Sequence, residues 1–208
     1  MSGKGGVVKI TPCLLDADNP FPVGDVTIGA LIAASGKRHL WEERSGAAVD
    51  VIVVHYLSAV VASPDAPFRK ELVLRLFCDY GVSSHYLVGR RGGVIRLVPE
   101  EMKAWHAGGS IMPEPDNRRA VNDFSIGIEL MATAASGFTP TQYESLARLC
   151  GDIERRNRRK FLYTGHDRIA GARAVGLGLR SEPKNDPGDQ FDWDRFFAGL
   201  NRERRRAA

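Results

Sequence analysis

The chain is poor in cysteine: Cys13, Cys78 and Cys150 are the only three among 208 residues. Their number is odd, their spacings are long and no Cys-x-x-Cys pair occurs. This pattern argues against a disulfide framework and against a cysteine-rich zinc site. Buried thiols in a reducing compartment are the simplest interpretation.

Long hydrophobic runs are also lacking. The apolar segment at 28–34 is far shorter than the roughly 20 residues that a membrane-spanning helix needs. The N-terminus has no cationic stretch followed by an apolar one, as a secretory leader would. We therefore expect no membrane insertion and a cytoplasmic location, although a leader already removed would leave the same sequence.

Charge and composition favour an ordinary folded chain. Hydrophobic residues make up 43%, charged residues 26%, and the net charge is +4. Basic runs at 155–160 and 201–206 are read as a solvated helix face and a tail rather than as a nucleic-acid surface. We expect an N-terminal extension over 1–47 packed on a main domain over 48–200, followed by a basic C-terminal tail over 201–208.

Short β-branched runs alternate with segments of helical periodicity. Strands are predicted at 49–58, 123–130 and 161–166, with a β-hairpin around the Arg-Arg-Gly-Gly turn at 90–93. Helices are predicted at 25–44, 66–81, 139–157 and 191–200. This alternation predicts an α/β (α+β) fold with a central mixed sheet flanked by helices.

Two predicted helices carry specific signals. The helix over 139–157 begins with Thr139, Pro140 and Gln142, which form a capping box, and its predicted apolar face is Tyr143, Leu146, Ala147, Cys150 and Ile153. The helix over 66–81 ends at Gly81, and its predicted apolar positions are Phe68, Leu72, Leu76 and Tyr80.

Five ionisable residues stand in apolar or turn contexts. His55 and His166 each come at the end of a predicted strand, and residues at the carboxyl ends of strands line the crevice of such sheets. Taken singly, each residue has an ordinary explanation. A histidine after a buried strand is most often structural, Glu129 would suit a surface, and Asp186 and Lys184 would suit a polar turn.

Together these side chains form a catalytic set. Two imidazoles and a carboxylate can hold zinc as three protein ligands and leave a position for water, whose pKa falls to about 7. A further carboxylate can transfer protons, and a fixed cation can stabilise an oxyanion. These groups would hydrolyse an amide, although the ligands are not in a compact motif such as His-Glu-x-x-His.

Several motifs resemble, in order, those of the zinc-dependent type 2 N-acetylmuramoyl-L-alanine amidases, a family that includes peptidoglycan recognition proteins and phage lysins. They are VVHYLS, AWHAG, NDFSIGIEL, TGHDRIAG and KNDPGDQFDW, and the resemblance runs from about residue 49 to about 197. The anhydromuramyl-peptide amidases are the most similar group. The resemblance implies a peptidoglycan-recognition-protein-like amidase fold.

The resemblance also implies roles for single residues. His55, His166 and Asp186 would bind Zn²⁺, Glu129 would be the catalytic acid-base, and Lys184 would stabilise the transition state. The implied reaction cleaves the amide between the lactyl group of N-acetylmuramic acid and L-alanine, in peptidoglycan or in its anhydro-muropeptide fragments, with the protein acting as a monomer. Residues matching the family's groove are expected to bind substrate: Tyr56, His85, Trp105, His106 and Asn122.

Two departures from the family pattern bear on the site. The segment between His166 and Asp186 is longer than expected, with an insert at about 172–181 that could shape the groove or act as a lid. Tyr56 stands where a smaller or polar residue is expected. A non-catalytic protein that binds peptidoglycan fragments is the alternative function. Intact wall or soluble fragments, and a bacterial or a phage origin, stay open as alternatives.

Overall fold

The computed structural model describes residues 8–207, which form eight strands, six α-helices numbered here in chain order, and one short 3-10 helix at Val121–Phe124. The strands are β1 (Ile10–Pro12), β2 (Trp41–Glu43), β3 (Val51–Leu57), β4 (Tyr86–Val88), β5 (Val94–Arg96), β6 (Met102–Ala104), β7 (Ser125–Met131) and β8 (Leu162–Gly165). The helices are α1 (Ile28–Ala34), α2 (Lys70–Tyr80), α3 (Pro140–Asn157), α4 (His166–Ile169), α5 (Ala172–Gly176) and α6 (Trp193–Ala207).

Six strands form one mixed sheet in the order β1-β5-β4-β7-β3-β8, while β2 and β6 form a separate antiparallel pair. The pairs β4–β7, β7–β3 and β3–β8 are parallel, and the hairpin β4–β5 is antiparallel. The predicted mixed sheet flanked by helices is therefore confirmed. Within residues 8–207, no helix combines the length and the apolar character that crossing a membrane requires.

The two faces of the central strands pack against different partners. Ile52 and Val54 belong to a cluster that includes the apolar faces of α3 and α6. Val51 and Val53, which point the other way, pack against residues of the 107–124 segment and of α4. This alternation follows from the period of two along a strand. A sheet covered on both faces leaves its strand ends as the place for a polar site.

Helix α3 begins and packs as the sequence predicts. The Thr139 side chain accepts a hydrogen bond from the Gln142 backbone N–H, and the Gln142 side-chain oxygen accepts one from the Thr139 backbone N–H. All five residues of the predicted apolar face are buried. The capping box therefore fixes the start of the helix that covers one face of the sheet.

The predicted apolar face of α2 is right only in part: Phe68, Leu72 and Leu76 are half-buried against the core, but the fully buried residues are others. Val73 and Phe77 are buried with Leu74, whereas Tyr80 is 72% exposed and Phe68 precedes the helix. Each turn of a helix takes 3.6 residues, so positions spaced by four drift round the surface, away from the stripe that faces the core. The helix does end at Gly81, which is left-handed with φ of 61°.

The single helix predicted over 25–44 is also wrong. Helix α1 ends at Ala34, and the chain then forms the antiparallel strand β2. Strand β1 joins the main sheet beside β5, so this region contributes strands as well as packing. Residues 1–7 of the predicted extension lie outside the described residues.

The basic C-terminal run is helical, where the sequence predicts a tail. Asp192 caps α6, since its Oδ1 accepts from the Arg195 N–H at 2.8 Å, and the helix continues to Ala207. Arg204 donates through two nitrogens to the buried Glu154 carboxylate of α3, at 2.7 and 2.6 Å. This ion pair fastens the arginine-rich end to the domain. Of the three thiols, Cys13 and Cys150 are buried and Cys78 is half-buried, all of them unbridged.

The Glu154 ion pair predicts an acid-sensitive component of stability. Burial raises the pKa of Glu154, but hydrogen bonds from Arg204, the Phe161 N–H and the Tyr163 hydroxyl outweigh it and hold the pKa below its usual value. The stabilisation is thus present above the unfolded pKa of about 4.3 and is lost as pH falls through the lower folded pKa. We expect Glu154→Gln to lower the free energy of unfolding at pH 7 by about 2 kcal/mol.

Urea unfolding of both proteins at pH 7 and pH 3 measures this effect. The gap between wild type and Glu154→Gln should narrow at pH 3, because the wild-type carboxylate is then increasingly protonated. An equal gap at the two pH values would show that the charge of Glu154 contributes nothing.

Candidate metal-binding active site

The structure brings together three side chains that lie far apart in the sequence. One ligand atom from each of His55, His166 and Asp186 lies within 4.8 Å of the other two. The Nδ1 atoms of both histidines face the Asp186 carboxylate, each at 3.2 Å. Two imidazoles and a carboxylate thus share a common centre, as a metal-binding group requires.

Strand pairing positions the first two of these side chains. His55 lies near the end of β3, and His166 directly follows β8, which is parallel to β3 with Gly165 opposite Val54. Both residues therefore occupy the carboxyl edge of the sheet. Glu129 joins them there, because it lies opposite His55 in the parallel pair of β3 and β7.

The loop that carries Asp186 is held against α4 by its backbone. The Asp167 N–H donates to the Asp186 carbonyl at 2.7 Å, and the Lys184 N–H donates to the Ala170 carbonyl at 2.9 Å. Close approach depends on Gly165, since a Cβ there would lie 2.6 Å from Pro187 Cδ. The loop therefore presents Asp186 and Lys184 to the site at a fixed position.

These donors fit a divalent metal such as zinc. A separation of 3.2 Å between ligand atoms is compatible with both lying about 2.1 Å from one ion. Burial, reinforced by the neighbouring His166, lowers the pKa of His55 to about 4, so the imidazole is neutral at pH 7. Burial raises the pKa of Asp186, but the adjoining imidazoles of His166 and His55 hold it well below its usual value. Neutral imidazoles and an ionised carboxylate are the forms that bind metal.

Glu129 has an unusual environment beside this cluster. Its Oε2 is the only buried side-chain nitrogen or oxygen in the described part of the chain without a hydrogen-bond partner. Burial, followed by repulsion from Asp186, raises the pKa of Glu129 well above its usual value, while the Lys184 ammonium opposes the rise. An orphan carboxyl with a raised pKa at a cleft is typical of a group that exchanges protons.

The cluster opens into a cleft of about 580 Å³. Its lining includes the three possible metal ligands, Glu129 and Lys184, together with four of the five residues predicted to bind substrate: Tyr56, Trp105, His106 and Asn122. Tyr56 and Trp105 are half-buried and offer aromatic surface to a ligand.

His85 does not belong to this lining. Its side chain is completely buried, its Nδ1 accepts from the Gly127 N–H at 3.0 Å, and its Nε2 lies 3.0 Å from the Met102 carbonyl. Burial lowers the pKa of His85 to about 3. A histidine with both nitrogens bonded to backbone and no access to the cleft has a structural place, so the substrate-binding role predicted for His85 is not proposed further.

The cleft contains one further cation, to which the sequence assigned no role. Arg180, from the insert at 172–181, lines the cleft together with Tyr80 and Gly108. The insert contains α5, and its Leu179 carbonyl lies against Gly109, where a Cβ would approach to 1.9 Å. The glycine pair after the Ala-Trp-His-Ala segment is the sequence signal for this contact, because only glycine leaves that room.

Comparison with known proteins adds to this geometry. The amidase of Citrobacter freundii named 1,6-anhydro-N-acetylmuramyl-L-alanine amidase AmpD is 38% identical over 117 residues, which cover 56% of each chain. The AmpD of Enterobacter cloacae is 39% identical over 139 residues, which cover 66% of this chain and 65% of the relative. The chain thus spans about three fifths of the length of these curated relatives.

A solved structure extends the likeness to the whole fold. The crystal structure of a selenomethionine AmpD derivative superposes with a TM-score of 0.64 and 27% identity, covering 96% of this chain and 99% of the other. The Amidase_2 family, described as N-acetylmuramoyl-L-alanine amidase, matches residues 45–189. That stretch contains every residue of the cluster, from His55 to Asp186, and the chain belongs to the N-acetylmuramoyl-L-alanine amidase family.

Proposed function

We propose that the protein is a zinc-dependent amidase that hydrolyses the bond between the lactyl group of N-acetylmuramic acid and the L-alanine of the stem peptide. The observation that carries the proposal is the meeting of two imidazoles, one carboxylate and one orphan carboxyl in a single cleft. The proposed metal ligands are His55, His166 and Asp186. A protein that merely binds fragments would not need the partnerless Glu129.

Each side chain has a distinct part in the proposed reaction. A zinc ion held by the three ligands would polarise the attacking water and the substrate carbonyl. Glu129, beside the ligands, accepts a proton from that water and then donates a proton to the leaving amine nitrogen. The Lys184 ammonium stabilises the negative charge that develops on the carbonyl oxygen.

The shape of the cleft supports a sugar-peptide substrate. Tyr56 and Trp105 provide aromatic surface for a sugar ring, while Arg180 and Lys184 provide positive charge for the carboxylates of a stem peptide. Relatives that are 38–39% identical carry names specifying the 1,6-anhydro sugar. We therefore propose soluble anhydro-muropeptides as substrates. Because one chain contributes every group of the cleft, a monomer suffices.

The substrate assignment is tested by mass spectrometry. Zinc-loaded protein is incubated separately with anhydromuramyl-tripeptide and with polymeric sacculi, and the released material is analysed by mass. We expect free tripeptide from the soluble substrate at a much higher rate than from sacculi. Preferential release from sacculi would contradict the soluble-fragment assignment, and no release from either would contradict the amidase activity.

Replacing a proposed ligand should remove both metal and activity. We expect Asp186→Ala to lose stoichiometric zinc after dialysis and to lose detectable hydrolysis, since two imidazoles alone bind zinc weakly. Zinc content is measured by atomic emission. Asp189→Ala, which alters an exposed aspartate of the same loop, is the matched control and should keep both properties. Retention of zinc by Asp186→Ala would exclude Asp186 as a ligand.

Replacing the proposed acid-base should separate metal binding from turnover. We expect Glu129→Ala to keep a full complement of zinc while kcat falls by roughly 10²–10⁴-fold, the usual contribution of general acid-base catalysis. Single-turnover rates with anhydromuramyl-tripeptide measure the loss. Glu144→Ala, at an exposed position of α3, should hydrolyse at the wild-type rate. Normal turnover by Glu129→Ala would show that another group transfers the proton.

A further inference from the structure

The ring nitrogen that faces away from Asp186 contacts the same short segment, residues 106–107, in both proposed histidine ligands. His55 Nε2 lies 3.0 Å from the Nδ1 of His106, and His166 Nε2 lies 3.4 Å from the carbonyl oxygen of Ala107. Two consecutive residues thus contact the outer nitrogens of two ligands that come from different strands. Ring nitrogens opposite the metal side set the orientation and the tautomer of a histidine ligand.

The positions of the imidazole protons follow from the contacts that His106 makes on its other side, with Ser125 and, through it, Val121. The Val121 carbonyl can only accept, so the Ser125 hydroxyl donates to it at 2.6 Å. The Ser125 oxygen must then accept from His106 Nε2, which lies 3.2 Å away. A neutral His106 that is protonated on Nε2 has a lone pair on Nδ1. His55 Nε2 must therefore be the donor in the next bond.

The outcome is the same for both ligands. A neutral imidazole carries one proton, so the proton on His55 Nε2 leaves a lone pair on Nδ1, the atom that faces Asp186. The Ala107 carbonyl is likewise only an acceptor, so when a metal ion occupies the Asp186 side of the ring, the His166 proton lies on Nε2 and the lone pair on Nδ1. Both lone pairs are aimed at the proposed metal position.

One side chain holds the segment that makes these contacts. Asn122 Oδ1 accepts from the backbone N–H groups of His106 and Ala107, at 3.1 and 2.8 Å. Gly127 of β7 leaves the space for the imidazole, since a Cβ there would lie 2.5 Å from His106 Cγ. A glycine inside a central strand is costly, and close approach of another group is a common reason for one.

We propose that His106 and Asn122 are positioning residues of the metal centre, which act by fixing the orientation and tautomer of His55 and His166. The inference rests on the proposed metal site. It replaces the substrate-binding role predicted for His106, because this ring is 9% exposed and both of its nitrogens are bonded to protein. Asn122 lines the cleft, but its oxygen is already shared by two backbone donors.

The test compares two replacements of His106. His106→Leu removes the acceptor, whereas His106→Asn keeps an oxygen at the position of Nδ1. Zinc affinity is measured by competition with a chromophoric chelator at pH 7.5. We expect His106→Leu to bind zinc about 10–100-fold more weakly than wild type and His106→Asn to recover most of the loss. Glu154→Gln, which lowers stability far from the site, should bind zinc as the wild type does.

Two outcomes of this comparison would overturn the proposal. Unchanged affinity in His106→Leu would show that the contact does not position His55. An equal loss in both variants would show that volume or packing matters and the acceptor does not.

A second pair of variants tests Asn122 in the same way. Asn122→Ala should weaken zinc binding, and Asn122→Asp, which keeps the oxygen, should restore it. Failure of the aspartate to restore binding would remove Asn122 from the proposal.

Nuclear magnetic resonance tests the proposal in the wild-type protein, so the result does not depend on whether a variant folds. In zinc-loaded protein with ¹⁵N-labelled histidine, we expect a scalar coupling across the hydrogen bond between His55 Nε2 and His106 Nδ1. A His55 ring protonated on Nδ1, or no coupling, would contradict the proposal. Neither chelation nor coupling involves amide cleavage. Zinc binding and tautomers as described, with no hydrolysis, would therefore refute the amidase function and leave this inference standing.

Discussion

The parallel pairing of β3 with β7 and β8 is the constraint on which the site depends. Parallel register puts His55 opposite Glu129 and brings the end of β8 alongside, so that three reactive side chains leave the sheet at one edge. None of them needs a long loop to reach the others. The one ligand that does come from a loop, Asp186, is tied by backbone hydrogen bonds to the short helix that begins at His166. Rigid elements thus set the spacing of the whole group.

Burying ionisable groups at the edge of a hydrophobic sheet costs free energy. Contacts made by the imidazole nitrogens reduce that cost in this structure. The outer nitrogen of each proposed histidine ligand has a partner in the 106–107 segment, and the inner nitrogen faces Asp186, where a metal ion would bind. Glu129 is the exception, since one of its oxygens is buried without a partner. The core formed by α3, α6 and the sheet offsets this local penalty. Unsatisfied groups of this kind persist in folded proteins mainly where function needs them.

Much of the architecture could be predicted from the sequence, because it depends on local signals. β-branched runs gave the long central strands, and Thr139 with Gln142 gave the start of α3. What could not be predicted depends on contacts between distant segments. The helix at the arginine-rich end is tied by Arg204 to Glu154, fifty residues upstream. The burial of His85 and the contacts of Asn122 are likewise tertiary, and a residue's nearest neighbours in sequence carry no trace of them.

The pairing of β2 with β6 has a consequence for where the functional unit begins. Strand β6 leads directly into Trp105, whose indole N–H also donates to Glu42 of β2 at 3.3 Å. The family match starts at residue 45, after both β1 and β2. A chain trimmed to that match would leave β5 and β6 with bare hydrogen-bonding edges, which recruit other molecules. A truncated protein that begins at the family boundary would therefore tend to aggregate, and the segment next to the proposed metal ligands would be less firmly held.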